Sequence, residues 1–480
     1  MIPSLVSQYD RQVESLPIMI SLLLGAFLGM FSEMSLNVAL GSLMQDLNVS
    51  AITVQWLTTG YMLVISILIP VSALLLQLFS TRQLFLCALG LFTGGTLIAA
   101  VSSCFEALLF GRLIQAAGTG LFIPLMLNTI LLISPVEKRG SVMGTVGLIV
   151  MFAPAIAPTV AGLILQYMHW HWLFWVLVPF LVFDLVFGYK FMQNVSEIKK
   201  VKIDYLSIVL SSIGFGGLVY GLSSLGEGAA TSSLPAAILS LAIGIVVLIL
   251  FIWRQLVMKE PLLNLKVFTY PMFALGVLLV MVAMLIIFSF LVLTPLYLQN
   301  GLKYSTFTVG LVLLPGGVLN GLISPLTGHL FDKFGPKRMV IPGMAIVAVT
   351  LGFFSGVTNT STLPVIIVLH CFLMIGVSMI MMPAQTNGLN QLPRKLYPHG
   401  TAVMNTIQQL AGAVGTALSI TVMNVGQHRY LASLTEPGMS KLSDGLIAGI
   451  QAAFTFGFWL AVIGVLMAMF IKRGNRLQSE

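Results

Sequence analysis

Charge is scarce in this 480-residue sequence. Asp, Glu, Lys and Arg make up 8% of its residues, against about 25% in an average soluble domain. So few charges do not cover the surface of a soluble protein, which excludes a free cytosolic enzyme and a disordered chain. The three cysteines stand apart from any CxxC or Cys/His ligand spacing, which excludes a disulfide scaffold. We expect no cofactor and no metal, although His169 and His171 lie two residues apart.

Phosphate-binding and catalytic signatures are absent too. The sequence contains no GxxxxGK[ST] loop, and no segment between apolar runs is long enough for a nucleotide-binding domain. This argues against ATP hydrolysis as an energy source. We therefore predict that the protein is not an enzyme and that it draws its energy from an ion gradient, worth about 2.3 kcal/mol per charge per 100 mV.

Apolar residues dominate what remains. They account for 58% of the chain, and the mean hydropathy is +1.02. Runs long enough to cross a bilayer of about 30 Å occur fourteen times, separated by short charged or turn-forming segments. The sequence therefore predicts an all-α membrane protein with fourteen spanning helices.

The positions of the basic residues predict the orientation. If the N-terminus is inside, the outer loops hold Lys303, Arg429 and Lys441, and Arg112 lies within a span. All the other Lys and Arg residues then face the cytoplasm, as the positive-inside rule requires. We expect both termini to be cytoplasmic in a bacterial inner membrane. The net charge of +8 is thus explained without nucleic acid as a partner.

A weak internal repeat links the two halves of the chain. Residues 73–82 and residues 328–338 both follow an apolar run at its inner end, share Leu and Phe, and close with a cation. A parallel repeat of six spans, plus two inserted spans, accounts for fourteen. We predict an N-terminal six-helix bundle over residues 1–192, a linker with two inserted helices over 193–265, and a C-terminal six-helix bundle over 266–480.

Four motifs, spread along nearly the whole chain, resemble motifs of the major facilitator superfamily. Residues 328–338, GHLFDKFGPKR, are similar to its cytoplasmic signature, and residues 112–118, RLIQAAG, resemble its RxxQGxG motif. Residues 153–162 resemble its Pro- and Gly-rich antiporter motif, and residues 33–40 resemble the first-helix motif of the fourteen-helix drug:proton antiporters of EmrB/QacA type. The variants are similar to the lincomycin-resistance branch of that group.

The sequence departs from the family pattern at several positions. In the first-half signature Gln77 replaces the usual Asp and Ser80 the usual Gly, which puts the charge relay there in doubt. Glu33 stands where the group more often has Asp. Ala116 and Ala157 stand where Gly is usual.

Ionisable residues inside a span are costly and require an explanation. Glu33 and Arg112 lie at similar predicted depths, roughly 10 Å and 8 Å from the outer ends of their spans at 1.5 Å per residue. We predict that Glu33 carries the coupling proton and that Arg112 modulates its charge. The alternative is a permanent structural link between Glu33 and Arg112, or between Arg112 and Gln115. Asp184 lies close to 18 Å deep, near the midplane by the same arithmetic. It is a second proton site or the counter-charge for a cationic drug, and the alternatives are an acid that faces water in a cytoplasmic cavity or a hydrogen-bonded helix contact.

Two further groups are predicted to act in gating and in substrate binding. The resemblance implies that the inner rim and a bendable fifth helix control access, and the gating residues are Asp332, Gly328, Gly335, Lys337, Arg82, Pro154, Pro158 and Gly162. Polar residues in or near spans are candidates for the cavity wall. These are Asn37, Gln55, Tyr61, Asn128, Tyr297, Asn320, Asn405, Gln408 and Gln409.

The resemblance implies a proton-coupled multidrug antiporter that exports small hydrophobic cationic or neutral compounds by alternating access, as a monomer surrounded by lipid. A second hypothesis is export of a native anionic metabolite, bile acid or signalling nucleotide, which Arg112 and the net positive charge favour. A hypothesis of another class is a membrane sensor or scaffold that no longer transports. Its one support in the sequence is the loss of Asp at Gln77.

Overall fold

The computed structural model describes residues 15–196, 204–226, 234–258, 261–433 and 439–473. Regular structure in these ranges is helical, and fourteen helical segments are long and apolar enough to cross a membrane. The prediction of fourteen spans is therefore confirmed.

Seven helices precede the first gap in the described ranges. They are α1 (Ser15–Asp46), α2 (Ala51–Leu78), α3 (Thr81–Val101), α4 (Phe105–Ile133), α5 (Arg139–Tyr167), the single turn α6 (Trp172–Trp175) and α7 (Val178–Phe191). The helices α6 and α7 together form the sixth span. We call the end at which α2 stops and α3 starts the inner end, and the opposite end the outer end.

Eight helices follow. The pair α8 (Tyr205–Gly226) and α9 (Leu234–Val257) precedes a second set of six. That set comprises α10 (Pro271–Leu296), α11 (Thr306–Phe334), α12 (Lys337–Phe354), α13 (Leu363–Asn390), α14 (Tyr397–Ala432) and α15 (Met439–Ala468).

Local sequence explains several helix boundaries. The Ser50 side chain accepts a hydrogen bond from the Thr53 amide and begins α2, and Ser80 with Gln83 forms a capping box at the start of α3. Ser80 thus has a local use where the family signature usually has Gly. At the end of α11, Gly335 adopts a φ of 80°, a left-handed conformation that suits glycine.

Helix packing divides the molecule into two groups joined by two long contacts. Within the first group α3 packs on α4, α1 on α5 and α2 on α4, whereas α10, α13, α14 and α15 pack together in the second. The groups meet where α5 crosses α11 and where α2 approaches α14. The predicted boundaries at residues 192 and 265 stay predictions.

The inserted pair has its own contacts. Helix α8 packs on α9 through Gly217 and Gly244, whose backbones approach closely, and it also contacts both α2 and α14. Asp204 and Arg254 form an ion pair at the inner ends of the two helices, with an Nε–Oδ2 distance of 2.9 Å. That guanidinium holds the pKa of Asp204 down to about 2. Because α8 contacts both α2 and α14, it lies against the contact that these two helices make between the bundles.

Candidate functional site

Arg112 is the centre of a polar cluster inside the N-terminal bundle. Its side chain is fully buried, and Nη1 donates to Gln115 Oε1 at 2.6 Å and to Ser32 Oγ at 3.1 Å. Gln115 in turn donates from Nε2 to Thr96 Oγ1 at 2.8 Å. The Arg112–Gln115 bond offered as an alternative by the sequence is thus present, and it orients the guanidinium between α1, α3 and α4.

Tyr61 of α2 completes this cluster. Its ring lies 4.0 Å from Arg112 Cζ, and its hydroxyl is 2.6 Å from Thr119 Oγ1. A guanidinium held on an aromatic face away from water gains about 2 kcal/mol. The sequence placed Tyr61 on a cavity wall. In the structure Tyr61 is fully buried and supports Arg112 instead.

Glu33 lies beside this cluster and is partly exposed. Its carboxyl lies near Arg112 and Tyr61, yet neither ion pair found in the described ranges joins Glu33 to Arg112. Removal from water favours the neutral acid, whereas a nearby guanidinium favours the carboxylate. Because α1 continues to Asp46 before Asn48 takes a φ of 51°, Glu33 lies deeper than its apolar run suggested.

Asp184 lies apart from Glu33 and Arg112. It is fully buried where α7 packs on α1 and α3, near Ser21, and neither carboxyl oxygen has a hydrogen bond of normal geometry within the described ranges. Ser21 is close to the start of α1, so Asp184 is nearer the inner end than the midplane depth predicted.

The inner end carries a contact between the two bundles that is built on Asp332. Its carboxylate accepts hydrogen bonds from the Gly140 amide at 2.8 Å, the Ser141 amide at 2.7 Å and the Ser141 hydroxyl at 2.8 Å. These amides belong to the first turn of α5, where a helix carries partial positive charge. Asp332 thus caps a helix of the opposite bundle.

Glycines let the two backbones meet at this point. A Cβ at Gly328 would overlap with the Gly140 carbonyl, and one at Gly144 would lie 2.6 Å from the Ser324 carbonyl oxygen. The close contact continues outward to Gly317, where a Cβ would lie 2.5 Å from Ala155 Cβ. We call this contact, from Gly140 and Gly328 outward, the α5–α11 seam.

Two other bridges cross between the bundles at the inner end. Arg139 donates to Asn390 Oδ1 at 2.9 Å and to the Tyr397 hydroxyl at 2.8 Å. On the other side, Gln77 Nε2 lies 3.4 Å from His399 Nε2. Gln77 therefore keeps a neutral contact where the family signature usually has an acid.

The outer part of the same helices is different. A Cβ added at Gly162 of α5 or at Gly310 of α11 would meet nothing within 4 Å. Glycine contacts therefore hold the two helices together along the seam, and these two outer glycines take no part in it.

Helices α4 and α14, which contact each other, carry several buried polar atoms that have no hydrogen-bond partner within the described ranges. A buried polar atom without a partner costs about 1–3 kcal/mol, so such atoms mark places where water or a ligand binds. Those on these two helices are Asn128 Oδ1, Thr129 Oγ1, Asn405 Nδ2, Thr406 Oγ1 and Gln408 Nε2.

The other predicted cavity residues have different surroundings. Tyr297 donates to the Thr358 carbonyl at 2.6 Å, and Asn320 donates to the Met374 carbonyl at 3.2 Å, both within the C-terminal group of helices. Asn37 accepts a hydrogen bond from Thr58 at 3.0 Å between α1 and α2. Gln55 and Gln409 are partly exposed.

The remaining predicted gating residues do not bridge the bundles. Arg82 donates to the Tyr189 carbonyl at 2.7 Å, a contact inside the N-terminal group, and Lys337 is exposed at the start of α12. Pro154 and Pro158 lie within α5, which remains one helix from Arg139 to Tyr167.

Several contact residues were missed by sequence reasoning. Ser32, Thr96 and Thr119 hold Arg112 and its partners, and Arg139 and Ser141 join the bundles. Hydroxyl residues are common in these helices, so their type alone gave no signal. Arg139 follows Lys138 in a charged loop, which made it an orientation signal rather than a bridge.

Comparison with known proteins identifies close relatives. A family model, the Major Facilitator Superfamily, matches residues 22–416. Lincomycin resistance protein LmrB of Bacillus subtilis (strain 168) is 58% identical, covering 98% of this chain and 99% of the relative. The protein of that name from Listeria monocytogenes is 54% identical over 97% and 98% of the two chains. Multidrug export protein EmrB of Haemophilus influenzae is 29% identical over 87% and 82%.

Solved structures share the architecture. The human organic anion transporter MFSD10 (TETRAN) has a TM-score of 0.68 at 13% identity, covering 95% of this chain and 100% of the other. The proton:xylose symporter XylE has a TM-score of 0.63 at 16% identity, covering 95% and 94%. At these identities the likeness establishes the fold, and it confirms the fold predicted from the sequence.

Proposed function

The chain belongs to the major facilitator superfamily, and on that premise we propose that it is a multidrug efflux transporter that exchanges hydrophobic cationic or neutral compounds for protons. Relatives above 50% identity over nearly the whole chain carry the name lincomycin resistance protein, which supports drug efflux. Membership of this family makes the protein a transporter rather than an enzyme.

One observation carries the proton-coupling part of the proposal. The acid of α1, Glu33, lies beside a buried Arg112 without forming an ion pair with it. The guanidinium is held by neutral partners, Gln115, Ser32 and the Tyr61 ring. Glu33 is therefore free to bind a proton from outside, and a shift that brings Arg112 closer expels the proton.

The inner contacts supply the conformational part. With the α5–α11 seam closed and Asp332 bound to the first turn of α5, the path between the bundles is closed at its inner end. Inward opening requires these bonds to break while the two bundles rock about the cavity between them. Proton binding and release at Glu33 gives each step its direction.

Flux measurements in proteoliposomes test this function. Wild type, Glu33→Gln and the control Glu106→Gln are compared for ethidium and lincomycin transport under an imposed proton gradient. Glu106 is an exposed acid in the first turn of α4, so its loss removes a carboxylate outside the cluster. We expect Glu33→Gln to bind drug but to lose proton-driven exchange. Proton-driven exchange by that variant at the wild-type rate would refute coupling through Glu33.

An organic anion is the second candidate substrate, and one observation favours it. Arg112 is a fully buried cation whose partners in the described ranges are neutral, apart from the nearby charge of Glu33. If wild-type vesicles move neither ethidium nor lincomycin but do move an organic anion, this candidate replaces the first.

The setting of the protein completes the proposal. Fourteen spans make it a multi-pass membrane protein. A bacterial inner membrane, cytoplasmic termini and a lipid-surrounded monomer agree with the distribution of Lys and Arg and with a complete pathway in one chain.

A further inference from the structure

A small cavity lies at the inner end, between the two bundles. Its volume is about 150 Å³, several times the ~30 Å³ that one water molecule occupies in the liquid. Gln77 and Asn128 line it from the N-terminal bundle, Ser196 from the segment after α7, and Arg394 and Lys395 from the C-terminal bundle. The site therefore exists only while the inner ends are together.

The charge of this cavity has one sign. Arg394 and Lys395 are exposed, neither belongs to the two ion pairs found in the described ranges, and no carboxylate is among the lining residues. The two cations immediately precede the first turn of α14, which has no side-chain cap. Two cations at a cavity without a carboxylate in its lining favour an anion, because Arg and Lys form charge-assisted hydrogen bonds with phosphate oxygens.

The wall also offers polar groups without partners. Asn128 is almost fully buried, its Oδ1 has no hydrogen bond within the described ranges, and it faces this cavity. Ser196 is held in place by Thr81, whose hydroxyl lies 3.0 Å from Ser196 Oγ. The Asn128 oxygen accepts, so it suits the hydroxyl of a protonated phosphate or of a glycerol headgroup, and the Ser196 hydroxyl is able to donate to a phosphate oxygen.

We propose that this cavity binds a phosphate group, and that the bound group holds the inner end closed. The phosphate belongs either to a free inorganic ion or to the headgroup of an anionic lipid, since both present the same oxygens to Arg394 and Lys395. An occupant that contacts both bundles favours the conformation in which the site is formed, in proportion to its difference in affinity between conformations. The site lies at the inner end, and Glu33 is not among its lining residues.

Thermal unfolding of the full-length protein in nanodiscs tests the proposal. One series uses neutral phosphatidylcholine with inorganic phosphate added against chloride at equal ionic strength. A second series replaces part of the lipid by phosphatidylglycerol without phosphate. Ligand that binds the folded state raises the melting temperature as its concentration passes the Kd. No drug flux is needed, so the result is independent of the proposed function.

Matched variants separate binding at this site from a general charge effect. Arg394→Gln with Lys395→Gln removes both cations of the site, Arg394→Lys keeps the charge, and Lys266→Gln with Lys333→Gln removes two exposed inner cations elsewhere. We expect the first pair to weaken the response at least tenfold, with the other variants close to wild type.

The two series identify the source of the phosphate. A rise with inorganic phosphate that depends on Arg394 and Lys395 supports a free anion. A rise with phosphatidylglycerol alone, with the same dependence, supports a lipid headgroup. Equal responses in wild type and in the Arg394/Lys395 variant, or no response to either ligand, overturn the proposal.

Discussion

Gly140 and Gly328 bring the backbones of α5 and α11 into direct contact, so close that a Cβ at Gly328 would overlap with the Gly140 carbonyl. The overlap is with backbone, which cannot rotate away as a side chain can. The residue pair therefore requires glycine at Gly328 for as long as the inner end is closed.

Gly328→Ala is expected to open the inner end. The methyl group pushes α11 from α5 and weakens the hydrogen bonds of Asp332, so the inner-closed population falls. Maleimide labelling of a Ser324→Cys reporter in inside-out vesicles measures this, with Cys87, Cys104 and Cys371 replaced by Ala. Ser324 is buried in the seam, and we expect labelling to accelerate severalfold.

Gly162→Ala is the matched control for that experiment, because its methyl group enters open space. It should label at the rate of the parent. Equal labelling of Gly328→Ala and Gly162→Ala would mean that the seam does not control access.

Asp332→Asn is expected to weaken the same closure through charge rather than through space. The single oxygen of Asn replaces only one of the two carboxylate oxygens that accept from Gly140 and Ser141, and it lacks the charge that strengthens bonds to the α5 N-terminus roughly twofold. Labelling at Ser324→Cys should rise, and it should do so less than in Gly328→Ala. Asp444→Asn, which removes an acid from the outer part of α15, serves as control, and an Asp332→Asn rate no faster than this control contradicts the role of the charge.

Tyr61 is expected to act through its ring more than through its hydroxyl. Tyr61→Phe loses the bond to Thr119, worth about 1 kcal/mol, whereas Tyr61→Leu loses a buried cation–π contact of about 2 kcal/mol. Transport should therefore fall little in the first variant and roughly tenfold or more in the second. Proteoliposome flux and melting temperature are measured together, and equal loss in both variants would assign the effect to the hydroxyl.

Asp184→Asn is expected to distinguish two uses of the buried acid. If Asp184 serves cations as a counter-charge, the variant loses ethidium transport more than transport of a neutral drug. A protonated carboxyl and an amide have similar size, so folding should be retained. Side-by-side flux of the two drugs is the measurement, and equal loss of both removes the counter-charge role.

The Asp204–Arg254 ion pair gives an expectation for pH. The pKa of Asp204 is held to about 2 in the folded protein, below the ~3.9 of a free aspartate, so ionisation of this carboxyl stabilises the folded state. That contribution is fully present above about pH 4 and is lost as the pH falls through about 2. Asp204→Asn should melt a few degrees below wild type at pH 7, and the gap should narrow below pH 4. A gap that is the same at pH 7 and pH 3, or one that widens on acidification, contradicts this linkage.

The sequence was sufficient for what depends on composition and spacing. Fourteen spans follow from apolar runs broken by charges, and the glycine and acid of residues 328–338 identified the residues that meet α5. The directions in which single polar side chains point were harder to predict. Successive residues are rotated by about 100° around the helix axis, so a small error in a helix's orientation changes which neighbour a side chain meets. Tyr297 and Asn320 show this, since both turn toward neighbouring helices of the C-terminal group.

Partners from distant parts of the chain were beyond sequence reasoning. Gln77 and His399 are 322 positions apart, and Arg139 and Tyr397 are 258 apart. No local pattern records such a pairing, because it depends on how the two bundles dock. Asp184 raised a different difficulty, since an apolar run gives depth but not which neighbours surround the acid.

The inserted helix α8 touches α2 of one bundle and α14 of the other. Trp56 of α2 stacks on Tyr220 of α8 with ring centroids 5.8 Å apart. Movement of α2 relative to α14 therefore displaces α8. Helix α9 follows α8 and exposes Trp253 toward the lipid. Movement of the α8–α9 pair therefore follows movement between the bundles. An environment-sensitive dye at position 253 would report each turnover from the lipid side, without entering the path taken by drug or proton.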